Sequence, residues 1–187
     1  MTTSILRGGL LLALAAAASL PASAQTRPAG DAAAVARTMQ AERIGRERLA
    51  RFDTLDFDVY TNQKWDRLKE SHATNILVHY PDGSATRGLP DHVAQISQTF
   101  VFAPDTRIRT HPIRIVSAAG DWTSVIGVLE GTFTKPMPGP NGTAIAPTGK
   151  AFKLQMVTVG HWVGTTMDEE YLFYDNAAFM KQIGVGQ

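Results

Sequence analysis

Pro147-Thr148-Gly149-Lys150, the run Ala151 to Val163 (AFKLQMVTVGHWV), the turn Gly164-Thr165-Thr166, and the run Met167 to Tyr174 (MDEEYLFY) closed by Asp175-Asn176 together decide the fold. Two strand-length runs joined by a glycine-containing turn predict an antiparallel hairpin. In the first run Phe152, Leu154, Met156 and Thr158 share one face and Lys153 and Gln155 the other, the alternation of a half-buried strand. The second run sets Asp168, Glu170, Leu172 and Tyr174 on one face, and Glu169, Tyr171 and Phe173 on the other. At least one carboxylate therefore faces the inner side of the sheet, where an apolar wall would shift its pKa.

The rest of the chain supplies what this hairpin packs against. Leu49, Phe52, Leu55 and Val59 recur at spacings of three and four, which predicts an amphipathic helix over residues 41–60. Its charges, from Arg43 to Arg51 with Glu47 among them, read as a solvated face. Residues 25–40, Ala-rich with Pro28 and Gly30, read as a linker or an extra helical segment beginning after Asp31. Trp65 to Glu70 predicts a short helix, Asn75 to Tyr80 a strand, and Pro81-Asp82-Gly83 a turn. Pro90 suits a first helical position, and Val93, Ile96 and Phe100 line one face of the helix it opens. Arg107 to Ala118 and Trp122 to Phe133 read as two long central strands joined at Ala119-Gly120-Asp121. The Pro- and Gly-dense stretch from Thr134 to Gly149 reads as a long loop, of the kind that forms lids and binding edges.

Taken in order, several pieces resemble the SnoaL-like polyketide cyclase (ester cyclase) family of the nuclear transport factor two-like superfamily. They are Trp65-Asp66-x-Leu68-x-Glu70, Val78-His79-x-Pro81, Phe102-Ala103-Pro104-Asp105, the Pro147 to Lys150 segment, Glu169-Glu170-Tyr171, and Tyr174-Asp175-Asn176 leading into Phe179 to Gly184. The resemblance covers roughly residues 62–184. It implies an α+β fold: a cone-shaped α+β barrel in which a strongly bent antiparallel sheet packs against about three helices and encloses a blind apolar pocket. It also implies a small hydrophobic carbonyl compound as ligand, and cofactor-independent cyclase, isomerase or hydratase chemistry by a carboxylate. Dimerisation through the outer sheet face belongs to the same expectation, which the Lys153, Gln155 and Val157 face neither demands nor forbids. One departure bears on all of this. The position of the family's acid/base Asp is occupied by Leu172.

Glu170, on the same strand face two residues earlier, is the nearest replacement and the first catalytic candidate. His79, where the family commonly carries His before x-Pro, is the second. Trp65, Tyr80, Trp122, Leu154, Met156, Leu172 and Tyr174 are the expected pocket residues. Glu130 reads equally as a partner for a histidine or as an edge residue. His72, His92 and His111 fall in a predicted helix end, a helix face and a strand, and no pair has the helical spacing used for zinc, so no metal site is expected, while the resemblance implies no cofactor. Leu172 keeps a second reading open: a non-catalytic ligand-binding or assembly domain of the same fold.

At 187 residues the chain supports one domain, residues 41–187, plus extensions. Arg7, the apolar run from Leu10 to Leu20 and Ala22-Ser23-Ala24 have the form of a secretory signal over residues 1–24, too short to span a bilayer as an anchor. The expected location is periplasmic or secreted. Without Arg7, basic and acidic side chains balance, so charge makes no case for nucleic acid, or for a membrane after signal cleavage. The chain has no Cys, which rules out disulfides and thiol catalysis. Amino-terminal sequencing of the exported protein is expected to start at Gln25; an amino terminus at Met1 in that fraction would contradict the signal reading.

Overall fold

The computed structural model describes residues 29–185; the expected signal segment lies outside them. A long helix, α1 (Ala29–Thr54), runs into a π-helical turn, Leu55–Tyr60, and a 3-10 turn, Trp65–Glu70. Strands β1 (His72–His79) and β2 (Ala85–Arg87) precede α2 (Leu89–Phe102). Then come β3 (Arg107–Ile108), β4 (Ile113–Val116), β5 (Trp122–Thr132), β6 (Met137–Pro138), β7 (Ala144–Ile145), β8 (Ala151–Val163), β9 (Thr166–Phe173) and α3 (Asn176–Gln182). The main sheet has the order β2-β1-β9-β8-β5-β3, with β4 also paired to β5. Every pairing in it is antiparallel except β1 with β9, which is parallel. This is the mixed α+β architecture of a curved sheet backed by helices.

The expected hairpin is β8 and β9. Along β8 the buried side chains are Phe152, Leu154, Met156, Thr158 and Trp162, in strict alternation. In β9 a bulge opposite His161/Trp162 breaks the alternation. Met167 and Glu170 are both buried as a result, although three positions apart they would face opposite ways in an unbroken strand. Asp168, expected on the Glu170 face, instead has its Oδ1 2.7 Å from His161 Nδ1.

Four other departures have local causes. The described part of residues 25–40 is the helical alternative, which its alanines favour, but it starts at Ala29 and not after Asp31. The run Arg107 to Ala118 splits into β3 and β4, because Pro112 cannot donate to the ladder and His111 turns inward over Gly127, where a Cβ would lie 3.6 Å from the ring. The stretch 134–149 is not structureless: β6 and β7 form a small hairpin, and Met137 and Ile145 pack on the core. Strand β1 starts at His72, three residues before the expected Asn75.

The core lies between the helices and the inner sheet face. Phe52, Leu55, Val59, Ile76, Val78, Trp162 and Met167 fill one end, and Phe133, Phe152, Leu154, Phe179 and Ile183 the other. Each such side chain contributes about 1.5–3 kcal/mol by leaving water. The β4–β5 turn is pinned to α1, since Arg48 Nη1 donates to Gly120 O at 2.6 Å. Gly120 has φ +80, and a Cβ there would sit 2.7 Å from the Ala41 carbonyl oxygen. Gly120→Ala is therefore expected to cost about 2–4 kcal/mol, combining left-handed strain and backbone overlap. Urea unfolding checks this, and an unchanged midpoint would contradict the packing described.

Candidate functional site

Between the π-helical turn, α2, α3 and the inner sheet face lies a cavity of about 290 Å³, at the small end of ligand pockets. Ile96, Phe102, Leu129, Met156, Leu172 and Phe179 give it apolar walls. Three tyrosines, Tyr60, Tyr80 and Tyr174, line it as well. Asp82, Gln95, Gln98, Thr99, Thr158 and Asn176 add polar lining, and two groups of largely buried ionisable side chains stand out within it.

The first comes from the end of α1. Asp53 and Asp56 lie three residues apart and so reach the same neighbour. His111 Nδ1 is 2.8 Å from Asp53 Oδ1 and its Nε2 is 2.7 Å from Asp56 Oδ2. With a carboxylate at each nitrogen, the geometry favours the doubly protonated ring, donating from both positions. The π-helical turn begins at Leu55, one residue before Asp56; its widened ladder shows in Thr61 N donating to Asp56 O at 3.3 Å. The His111 side chain is 1% exposed and that of Asp53 30%, with Arg114 Nη2 3.0 Å from Asp53 Oδ2. The three groups thus run from the cavity, which Asp56 lines, to the surface.

Burial pushes the Asp56 carboxyl up, and the opposing pull of His111 does not bring it back to the usual range. For His111, burial acts against the charged ring, but hydrogen bonds and charge from Asp56 and Asp53 outweigh it and the pKa is raised. Both directions keep a proton on the assembly. Burial also raises Tyr60 and Tyr174, and takes Tyr80 up to about 12, so the three phenols remain hydrogen-bond donors.

The second group is His72 from β1, His92 from α2 and Glu170 from β9, all buried. His72 Nε2 is 3.4 Å and His92 Nε2 3.7 Å from Glu170 Oε2. The rings stack with centroids 5.1 Å apart. Their other nitrogens are anchored: His72 Nδ1 lies 2.9 Å from Ser71 Oγ, and His92 Nδ1 2.8 Å from Tyr80 Oη. Burial pushes His92 down to about 4. Burial would lift Glu170, but positive charge among the three groups, on an imidazole or on an ion they hold, carries its carboxyl below the usual range. These three could hold a metal ion, since their donor atoms lie within 4.8 Å of one another.

Of the residues expected from sequence, Glu170, Tyr80, Met156, Leu172 and Tyr174 line the cavity. The others do not. His79 is turned away from it by strand parity, because its neighbours Val78 and Tyr80 point inward. On the outer face its Nε2 is 3.0 Å from Glu169 Oε1 and its ring stacks on Tyr171 at 4.2 Å. Trp65 packs edge-on against Tyr60 and Phe100. Trp122 lies against His161 on the outer side of β5, and Leu154 is core beneath the cavity wall. Glu130 pairs with Arg107 at 2.8 Å.

Asp53, Asp56, His72, His92 and His111 escaped sequence reasoning as site residues. Asp56 left a trace, since a carboxylate between Leu55 and Val59 stands beside the helix's apolar stripe. The three histidines left none, because their partners come from other elements. Linear spacing, the ground for expecting no metal site, does not bear on a cluster assembled from two strands and a helix.

Compared with known families, residues 51–183 match SnoaL-like polyketide cyclase. Among solved structures, a protein of Jannaschia sp. CCS1 described as a SnoaL-like polyketide cyclase shares 19% identity, over 76% of this chain and 94% of its own, with a TM-score of 0.64. IdmH of Streptomyces antibioticus, described as a polyketide cyclase, shares 19% over 75% of this chain and 99% of its own, with a TM-score of 0.59. A protein of Catenulispora acidiphila with a ketosteroid isomerase-like fold, solved with trimethylamine, shares 14% over 74% of this chain and 92% of its own, with a TM-score of 0.57. At these identities the likeness is one of fold. Comparison with curated proteins finds no match.

The raised His111 pKa fixes a sign for stability. Its stabilising share is fully present below the ordinary histidine value of 6.5 and is lost as pH rises through the folded value. The stability difference between wild type and His111→Asn is expected to be largest near about pH 6 and to shrink toward about pH 9. Urea unfolding across that range tests it; a difference that grows with pH would contradict the ion-paired ring.

Proposed function

This chain belongs to the SnoaL-like polyketide cyclase family, and from that premise we propose that it binds a small, largely apolar carbonyl compound in its cavity and moves a proton on it with Asp56. The observation that carries this reading is a carboxylate lining an apolar cavity, with its pKa raised by burial and its orientation fixed by His111 and Asp53. A base so placed has its strength matched to removal of a proton next to a carbonyl.

In this step Asp56 takes the proton, the C–H electron pair becomes a carbon–carbon double bond, the carbonyl π pair moves to its oxygen, and an enolate forms. Tyr60, whose burial keeps its proton on, is the donor suited to that oxygen. Return of the proton at another carbon gives isomerisation, and attack of the enolate on a second carbonyl within the ligand closes a ring. His111 and Asp53 offer the proton a path to the surface. Glu170, the replacement candidate for the family Asp, lies at the other polar group with His72 and His92 and orients a polar end of the ligand.

Export is part of this proposal and is supported by the signal-like residues 1–24. Self-association through the outer sheet face is supported by the exposed Ile113, Ile115 and Phe173. Among the described residues no helix is long and apolar enough to cross a membrane. A second reading, binding without turnover, is favoured by Leu172, an aliphatic cavity residue where the resemblance places an acid/base Asp.

Hydrogen–deuterium exchange at the enolisable carbon of small β-dicarbonyl compounds separates the two. Asp56→Asn is expected to slow catalysed exchange at least about 100-fold while ligand binding persists. Exchange as fast in Asp56→Asn as in wild type would remove Asp56 from its role. Binding with exchange no faster than in solvent would favour the second reading.

A further inference from the structure

The second polar group has a feature that proton transfer at Asp56 does not use. His72 Nε2 and Glu170 Oε2 are fully enclosed and have no hydrogen-bond partner among the described residues, and their side chains are 1% and 4% exposed. Unpaired polar atoms at such depth cost about 1–3 kcal/mol each, and more when charged. Native interiors seldom keep them without a ligand, ion or water between them.

The hydrogen-bond pattern around the two rings accounts for where their protons are. Ser71 Oγ donates to Leu68 O at 3.2 Å and so is left to accept from His72 Nδ1–H. Tyr80 Oη lies 2.9 Å from Thr86 Oγ1, to which it can donate, leaving it to accept from His92 Nδ1–H. In these tautomers both Nε2 atoms present bare lone pairs toward a carboxylate oxygen. Three lone-pair donors converging in a dry site repel one another unless a positive charge sits among them.

A proton on His72 fits poorly. An imidazolium–carboxylate hydrogen bond closes to about 2.7–2.9 Å, whereas here the atoms stand 3.4 Å apart. The spacing suits a metal ion better. Bonds of about 2.0–2.2 Å at a tetrahedral angle separate donor atoms by roughly 3.4 Å, and the two separations from Glu170 Oε2 are 3.4 and 3.7 Å.

We propose that His72 Nε2, His92 Nε2 and Glu170 Oε2 form a binding site for a divalent transition cation of the zinc type, with its open coordination position facing the cavity. Two imidazoles and one carboxylate are a common donor set for catalytic zinc, and other first-row divalent ions accept it. Each ring is oriented by a hydroxyl on its far nitrogen, as metal-ligating histidines require. Because all three side chains also line the cavity, an oxygen of the bound ligand can complete the coordination. The ion would then polarise a carbonyl in the same space that Asp56 faces. The site shares that cavity but does not depend on Asp56 acting as a base.

Cobalt is the probe. Purified protein, stripped with a chelator and titrated with Co²⁺, is expected to bind one equivalent and to show visible absorption bands typical of a low-coordinate cobalt site, displaced by Zn²⁺. His72→Ala and Glu170→Gln are expected to weaken binding at least about 100-fold, and Tyr80→Phe, which removes only an orienting hydroxyl, by about 10–100-fold. Circular dichroism identifies which variants are folded. The wild-type titration tests the site even if none is. Asp56→Asn separates this proposal from the proton-transfer reading, since it should bind cobalt as wild type does whatever its effect on exchange. Less than about a tenth of an equivalent bound by folded wild type, or equal binding in folded Glu170→Gln, would overturn the site.

Discussion

A carboxylate withdrawn from water must find positive charge or hydrogen-bond donors inside the protein, because isolated burial of the charge is prohibitive. Two buried carboxylates, Asp56 and Glu170, impose that requirement here, and much of the unusual local structure follows from it. For Asp56 the solution is complete: His111 breaks the strand that would otherwise run through β3 and β4, folds inward over Gly127, and bonds both Asp56 and Asp53. The π-helical turn spanning Asp56 belongs to the same arrangement. For Glu170 it is incomplete, since two imidazoles approach but neither closes to hydrogen-bonding distance.

This difference divides the cavity into two functional halves. One half holds a carboxylate whose proton affinity is raised and whose proton has a way out to solvent. The other holds three converging donor atoms oriented from behind by Ser71 and Tyr80. Burial and the apolar side chains on the same walls make each charge count for more than it would at the surface. Leu172 belongs to those walls and offers no acid/base group at its position.

The hairpin of β8 and β9 was legible because alternation in β8 is unbroken from Phe152 to Trp162. The apolar stripe on α1 and Pro90 at the start of α2 were legible for equally local reasons. Bulges were not: nothing in Met167 to Glu170 announces that Asp168 turns outward, and nothing in Arg107 to Ala118 says where the strand breaks, although Pro112 hints at it. At the site, strand parity reached Glu170, Met156 and Leu172, and the same parity applied to Val78 and Tyr80 places His79 outside. The histidine clusters needed the third dimension. His72 meets His92 across twenty residues of chain and Glu170 across nearly a hundred, and the motifs that carry the family resemblance include neither histidine.

The central claim is that the cavity holds a carboxylate kept from its normal ionisation by burial and tied to a charged ring. The most direct measurement is the carbon-13 resonance of the Asp56 carboxyl, assigned with Asp56→Asn and followed as metal-free protein is acidified. The account predicts a protonation midpoint above the ordinary aspartate value of 3.8. A midpoint at or below that value would mean that water or the His111 contact offsets burial altogether, and would contradict the account.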